Sequence, residues 1–322
     1  MKWRNTLFFM AALPFLVRLL HRAVHSFITP AYQVHDRGIV LITGTSTGIG
    51  NATVFDLLEK TQYTVFAGVR STKDYDTWKA MQKDRIVPVL LDVTNSASIS
   101  NVVKLIKEYV SKHNIPLISV INNAGTSYSA PFEYHPVSNM RQTFEVNILG
   151  VMEVTQQFLP LLKHSQGRLI LVSSVAGMVC RQLRSVYCAT KFAMEGWADG
   201  LRRELYRTVS VSLIQPGLVR STMANQQSEM SVKMLLEHQV NITEAREVYS
   251  RFYSEAAGNK MQHIIETQAG DPHQVSGVIL EALNSVKPYP RYRVAGMLGV
   301  PAWLAAWLVW LVPDFIQDAL FG

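Results

Sequence analysis

Tyr187 and Lys191 sit four residues apart in Tyr187-Cys188-Ala189-Thr190-Lys191, a stretch that reads as helix. On a helix these positions share one face, so the phenol and the ammonium point into the same space. A free tyrosine has a pKa of about 10 and is a poor base near neutral pH. A lysine charge beside it favours the phenolate and draws the group toward working range. The pair has the makings of a proton-transfer device, although an aromatic and a lysine at this spacing are also an ordinary surface pattern. Its neighbours decide between the two. Ser174 lies thirteen residues before Tyr187, in Ser173-Ser174-Val175-Ala176-Gly177, and a loop returning to one crevice sets that hydroxyl beside the phenol. Asn147 is an amide inside an apolar helical pattern; buried there it is either a satisfied core group or a link in a proton path.

The elements that must position these groups alternate between strand and helix. Gly38-Ile39-Val40-Leu41-Ile42 is the β-branched run expected of a strand buried on both faces. It feeds into Thr43-Gly44-Thr45-Ser46-Thr47-Gly48-Ile49-Gly50, and a helix follows over 51–60. In this setting backbone N–H groups and a helix N-terminus face a pyrophosphate. The spacing is G-x-x-x-G-x-G, not the standard G-x-G-x-x-G. The next strand, 64–69, ends where an acidic residue would grip the adenosine ribose of NAD. Arg70 stands there instead, and no carboxylate occurs from Gly68 to Lys73. A guanidinium suits a 2′-phosphate, with Lys73 as a second cation, so NADP(H) is the preferred cofactor and NAD(H) stays open.

A third strand over 86–91 ends in Asp92, and a helix over 97–113 follows the cap candidates Thr94, Asn95 and Ser96. A fourth strand, 116–121, ends in Asn122-Asn123-Ala124-Gly125. One long helix is expected over 140–162, carrying Asn147 and Gly150, and a fifth strand over 167–172 runs into the two serines. This alternation is that of an α/β protein with a doubly wound parallel sheet, where ligands gather at the carboxyl ends of the strands.

Together these residues resemble the short-chain dehydrogenase/reductase family. The match runs from about Gly38 to Val219 and includes Thr43-Gly44-(x3)-Gly48-Ile49-Gly50, Asp92, Asn122-Asn123-Ala124-Gly125, Asn147, Ser174, Tyr187-(x3)-Lys191 and Pro216-Gly217. The resemblance implies a single Rossmann-type domain and hydride transfer between a nicotinamide and an alcohol or ketone. It implies Tyr187 as general acid/base, with Lys191 lowering its pKa and binding the nicotinamide ribose. Ser174 would polarise the carbonyl, and Asn147 would hold a water that relays protons. The expected cofactor contacts, besides Tyr187 and Lys191, are Gly44, Thr45, Ser46, Gly48, Ile49, Gly50, Arg70, Asp92, Asn123, Ala124, Gly125, Pro216, Gly217, Val219 and Ser221; no metal is expected. Where the family usually has threonine five residues past the proline, this chain has Ser221, with Thr222 next.

With 322 residues, 48% of them apolar, the chain is long enough for one domain of about 250 residues plus tails. The net charge of +7 comes from scattered basic residues. The densest acid-free stretch carries Lys2, Arg4, Arg18 and Arg22, which favours a membrane surface over nucleic acid as partner. The only cysteines, Cys180 and Cys188, are expected to be free thiols, and a disulfide scaffold is excluded. Residues 1–36 form a membrane or targeting segment. Its apolar run Leu7–Val17 is short for a span and holds Pro14, so a signal anchor, an interfacial helix and a mitochondrial presequence stay open.

Residues 37–290 make the catalytic domain, in which the polar, helical region 223–270 forms the lid in the resembled family. Residues 291–322 are an apolar tail. Val294 to Val312 carries no charge, and Trp303, Trp307 and Trp310 fall on one helical face. That pattern suits a helix in the headgroup region, or a core or homodimer-interface helix. The apolar ends look like those of membrane-associated family members that act on retinoids, steroids or other lipids. This implies a lipophilic substrate and the endoplasmic reticulum, with the mitochondrion as alternative. Competing functions are a lipid-biosynthetic ketoreductase, a mitochondrial hydroxyacid dehydrogenase and a catalytically silent nucleotide-binding scaffold. Intact Tyr187, Lys191 and Ser174 oppose the last.

Overall fold

Ile39–Thr43 form strand β1, and all five residues are buried. Successive side chains leave a strand on opposite faces, so Ile39 and Leu41 enter one apolar core while Val40 and Ile42 enter another. Thr64–Val69 (β2), Leu117–Asn122 (β4), Arg168–Val172 (β5) and Ser210–Pro216 (β6) are buried throughout in the same way. Ile86–Leu90 (β3) and Arg291–Val294 (β7) are half-buried and form the edges. The seven strands pair in parallel in the order β3-β2-β1-β4-β5-β6-β7. The chain winds outward in one direction from β1 and in the other from β4, so the switch point lies between these two. The structure is a computed structural model that describes residues 24–297 together with Leu20, Val300, Pro301, Pro313 and Ile316.

Helices cover both faces. Ser96–His113 (α3), Gly150–Ser165 (α5) and Ser185–Glu204 (α6) pack on one side through residues such as Ile99, Phe158 and Met194. Gly48–Lys60 (α1) and Pro272–Asn284 (α11) pack on the other through Val54, Leu57, Val275 and Ile279. Thr72–Ala80 (α2) follows β2, and Val137–Phe144 (α4) leads toward α5. Thr222–Glu237 (α7), Ile242–Val248 (α8), Ser250–Tyr253 (α9) and Glu255–Gln268 (α10) form the helical excursion between β6 and α11.

The structure departs from the sequence expectations in three places. The single helix expected over 140–162 is divided: Glu145–Leu149 make a π turn between α4 and α5. A π turn inserts one residue into the helix and re-aims the side chains around it; the one re-aimed here is Asn147. Second, β7 extends the sheet across the boundary drawn at residue 290, with Val294 at its end, where the sequence placed the start of an apolar tail. Arg291 fastens it, reaching Glu195 Oε2 at 2.9 Å and Asp199 Oδ1 at 3.1 Å on α6. The third is the cysteine pair, described with the site. The apolar run Leu7–Val17 and the tryptophans Trp303, Trp307 and Trp310 lie outside the described residues. Among those described, no helix is long and apolar enough to cross a membrane.

The two ends of the domain are tied to opposite edges of the sheet. At the amino edge the His25 ring stacks on Tyr289 at 4.0 Å, Tyr32 N–H donates to Val286 O and Arg168 donates to Gln33 O. At the carboxyl edge the chain leaves β7 through a two-strand ladder, Gly296–Met297 with Val300–Pro301, beside Gly217.

Replacing Arg291 with alanine strips a mostly buried Glu195 carboxylate of its partner. It should lower unfolding stability by about 2 kcal/mol, read as a lower denaturant midpoint at unchanged slope.

Candidate active site

The glycine turn occupies the carboxyl end of β1. Gly44 and Gly48 adopt φ of 70° and 62°, left-handed values that suit glycine. Between them Thr45 is fully buried, its N–H and hydroxyl both donating to Gly68 O at the end of β2. Ile49 and Gly50 begin the first turn of α1. The turn is braced from β4: Asn123 N–H and Ala124 N–H donate to Thr43 Oγ1 at 3.0 and 2.9 Å, and the Asn123 amide donates to Thr43 O and Gly44 O. Pro216 ends β6, and Gly217, Val219 and Ser221 bring the chain back to this place. Val219 bridges Gly270, and a β-carbon on Gly48 would stand 3.3 Å from Ser221. An open cleft of about 420 Å³, lined in part by Gly48, Asn51, Arg220 and Ser221, lies at the N-terminus of α1. Left-handed glycines, a helix start with no side-chain cap and this space together fit a pyrophosphate. A larger cleft, about 530 Å³, lies among Gln33, Asn114, Leu161 and Lys163 at the amino edge and holds none of these groups.

Two other expected cofactor residues, Arg70 and Asp92, follow β2 and β3, on the same side of the switch point as the glycine turn. Arg70 is exposed just past β2. Asp92 follows β3, its Oδ1 accepting from Thr94 N–H at 2.9 Å and the Thr94 hydroxyl at 2.7 Å. Asp74, one residue beyond the stretch free of carboxylates, accepts from the hydroxyls of Ser46 and Ser71 at 3.0 and 2.7 Å. Its sequence signal is the helix-start pattern Ser71-x-x-Asp74, in which Asp74 N–H returns a bond to Ser71.

The chemistry-bearing groups converge beside the ends of β4 and β5. Lys191 is buried on α6 and donates to Val172 O at 2.9 Å, with its ammonium 5.7 Å from the Tyr187 ring centre. Ser174 caps the short turn Val175–Gly177; its hydroxyl accepts from Ala176 N–H at 3.1 Å and reaches Pro216 O at 3.4 Å. Asn147 is fully buried in the π turn. Its Oδ1 accepts from Thr126 N–H at 2.8 Å, and its Nδ2 donates to Thr126 O at 2.9 Å and Thr190 Oγ1 at 3.1 Å. The amide thus clips the loop after β4, which carries Gly125, to α6 one turn beyond Tyr187.

Two features were not legible in the sequence. Arg184 stands with its guanidinium carbon 4.8 Å from the centre of the Tyr187 ring and donates to Ser127 Oγ at 2.7 Å. And Cys180 and Cys188 are not free thiols: they are joined as a disulfide, with Cα atoms 5.7 Å apart. The chain turns back at Leu183, whose φ is 63°, and this lays Cys180 against the first turn of α6. Extended, a separation of eight residues would hold the two about 27 Å apart, so only a chain reversal brings their Cα atoms to 5.7 Å.

Residues 38–232 match the short chain dehydrogenase family, well over half of the chain, and the chain belongs to that family. It is 31% identical over 287 residues to retinol dehydrogenase 16 of Rattus norvegicus, covering 88% of this chain and 87% of the relative. It is 28% identical over 293 residues to the mitochondrial D-beta-hydroxybutyrate dehydrogenase of Mus musculus, covering 88% and 83%. A short chain dehydrogenase from Burkholderia cenocepacia, solved in complex with NADP, superposes with a TM-score of 0.68 at 21% identity over 90% of this chain and 100% of its own. One from Burkholderia phymatum, solved with NAD, gives 0.64 at 20% identity over 80% and 89%.

Asn147→Ala would leave Thr126 N–H and O without the Asn147 amide and remove one donor from the Thr190 hydroxyl, which keeps its own bond to Tyr187 O. The expected cost is about 2–3 kcal/mol of stability, measured by denaturant unfolding, with cofactor binding followed in parallel by nicotinamide fluorescence.

Proposed function

We propose that this chain is an NADP(H)-preferring oxidoreductase that interconverts a hydroxyl and a carbonyl on a lipophilic substrate. The observation that carries the reading is the placement of Lys191 and Tyr187 on one face of α6, with the Lys191 ammonium bonded to the last residue of β5, two residues before Ser174. The bound nicotinamide supplies or accepts the hydride. In oxidation the substrate hydroxyl gives its proton to the Tyr187 oxygen as its carbon loses the hydride. In reduction the phenol returns that proton to the developing oxyanion, which the Ser174 hydroxyl also stabilises. The Lys191 ammonium, held by Val172 O, adds positive charge near the phenol and would bind the ribose of a bound nicotinamide. Asn147 keeps the loop after β4 in register with α6; both of its amide hydrogens are taken, so a proton-relaying water would meet the remaining lone pair of Oδ1. The glycine turn and α1 receive the diphosphate, with Asp92 and Asn123 to Gly125 along the adenosine and ribose path.

The preference for NADP(H) rests on the exposed guanidinium of Arg70 at the end of β2. The solved relatives carry NADP in one case and NAD in another. A lipophilic substrate and attachment to the endoplasmic reticulum membrane are supported by the apolar ends of the sequence and the retinol dehydrogenase relatives. The mitochondrial hydroxybutyrate relative supports a second reading, a hydroxyacid dehydrogenase imported into mitochondria. Cleavage of the first residues after import would favour the second reading, and their retention the first.

Full-length protein incubated with a panel of retinoids, steroids and hydroxy acids should consume or produce reduced nicotinamide, followed by its absorbance. Tyr187→Phe should lower kcat at least ~100-fold with cofactor affinity nearly unchanged; undiminished turnover would refute the role. Arg70→Ala should weaken NADPH at least ~10-fold more than NADH, and equal losses would remove the 2′-phosphate argument.

A further inference from the structure

The mechanism above uses one cation beside the phenol, yet the structure puts two there. Lys191 stands at 5.7 Å from the centre of the Tyr187 ring and Arg184 at 4.8 Å. Lys191 is committed to the backbone of β5. Arg184 belongs to the opposite wall, where the segment between Ser174 and α6 runs beside the loop after β4: Ala130 N–H donates to Leu183 O at 2.9 Å, and the Arg184 fork donates to Ser127 Oγ. Lid helix α7 closes over that same loop. Ser129 N–H donates to Ser231 Oγ, and Met234 and Leu235 pack on Ala130 beside Tyr128 and Tyr134.

The chain goes to some expense to hold Arg184 in this place. Leu183, its neighbour, is in the left-handed region, which costs a bulky L-residue free energy and persists only where the surroundings impose it. The disulfide closes a loop with Arg184 at its midpoint, four residues from each cysteine. Burial pulls its guanidinium below the usual arginine range, an effect that Tyr187 opposes and nearby Arg181 reinforces. Arg181 is itself desolvated and takes part in none of the ion pairs among the described residues. Two arginines drawn out of water next to each other raise the local positive potential, which favours an anion. A planar guanidinium fork is matched to a carboxylate and offers little to a neutral alcohol.

We propose that Arg184 is a specificity-determining residue that receives a carboxylate carried a few bonds from the reacting carbon. The preferred substrate is then an amphiphilic hydroxy or keto acid, its apolar remainder lying under Met234 and Leu235. Arg181 supports the same charge. This rests on the oxidoreductase reading above and narrows its substrate class.

The test compares 3-hydroxydecanoic acid with its methyl ester, which keeps the reacting hydroxyl and removes the charge. In the wild type the acid should exceed the ester in kcat/KM by at least ~10-fold. In Arg184→Gln that ratio should collapse toward one, mainly through the KM of the acid, and Arg184→Lys should restore part of it. Because the ratio is internal to each variant, a general loss of activity does not mimic the effect. Thermal stabilisation of the cofactor-bound protein by acid and by ester gives the same comparison without turnover. Equal responses to acid and ester in the wild type, or an unchanged ratio in Arg184→Gln, overturn the proposal. If neither compound is turned over, nor any member of the retinoid, steroid and hydroxy-acid panel, while the acid alone stabilises the wild type and not Arg184→Gln, the anion site stands and the oxidoreductase reading fails.

Discussion

Seven strands running the same way leave every carboxyl end along one edge of the sheet, and the rest of the molecule is arranged around that edge. Between β1 and β4 the winding changes direction, so the loops that follow these two strands diverge and leave a crevice. Thr43 and Asn123 make the connection across it. One hydroxyl accepts two backbone N–H groups, and one amide holds two carbonyls of the glycine turn. The glycine turn and the loop carrying Thr126 and Ser127 are thereby fixed to one another within the protein itself. Asn147 extends the same bracing to α6, so the phenol and the glycine turn belong to one hydrogen-bonded frame.

What the sequence makes legible follows from how local the underlying physics is. β1 is a continuous apolar run up to Thr43, β2 is apolar after Thr64, and β4 is broken only by Ser119 before it ends in Asn122; these runs, and the glycine turn with its backbone requirement in its composition, can be read from neighbouring residues alone. β6 hides because Ser210, Ser212 and Gln215 are polar yet buried, which blurs the pattern of a strand covered on both faces. β7 hides for a different reason. Arg-Tyr-Arg-Val resembles an exposed stretch until Glu195 and Asp199, about a hundred residues earlier, supply the charge that lets it join the sheet.

The site divides along the same line. Tyr187, Lys191 and Ser174 are visible through residue type and spacing, because helix geometry alone aligns two of them and the strand-to-helix return supplies the third. Arg184 is not visible. In sequence it is one basic residue among 31 lysines and arginines, and its i, i+3 spacing to Tyr187 gains meaning only once the turn at Leu183 fixes where α6 begins. The π turn at Asn147 escapes a reading based on a period of 3.6 residues because it is a local departure from that period. Both misses fall where regular structure yields to the demands of the crevice.

The attachments at the two ends of the domain bear on how it can meet a surface. Residues 24–33 are pinned under the amino edge, through Tyr289 and Val286, while Pro301 leaves from the carboxyl edge near Gly217. Those edges are about 17 Å apart along a five-residue strand. The described residues that lead into the domain and those that leave it are thus held at opposite ends of its strands.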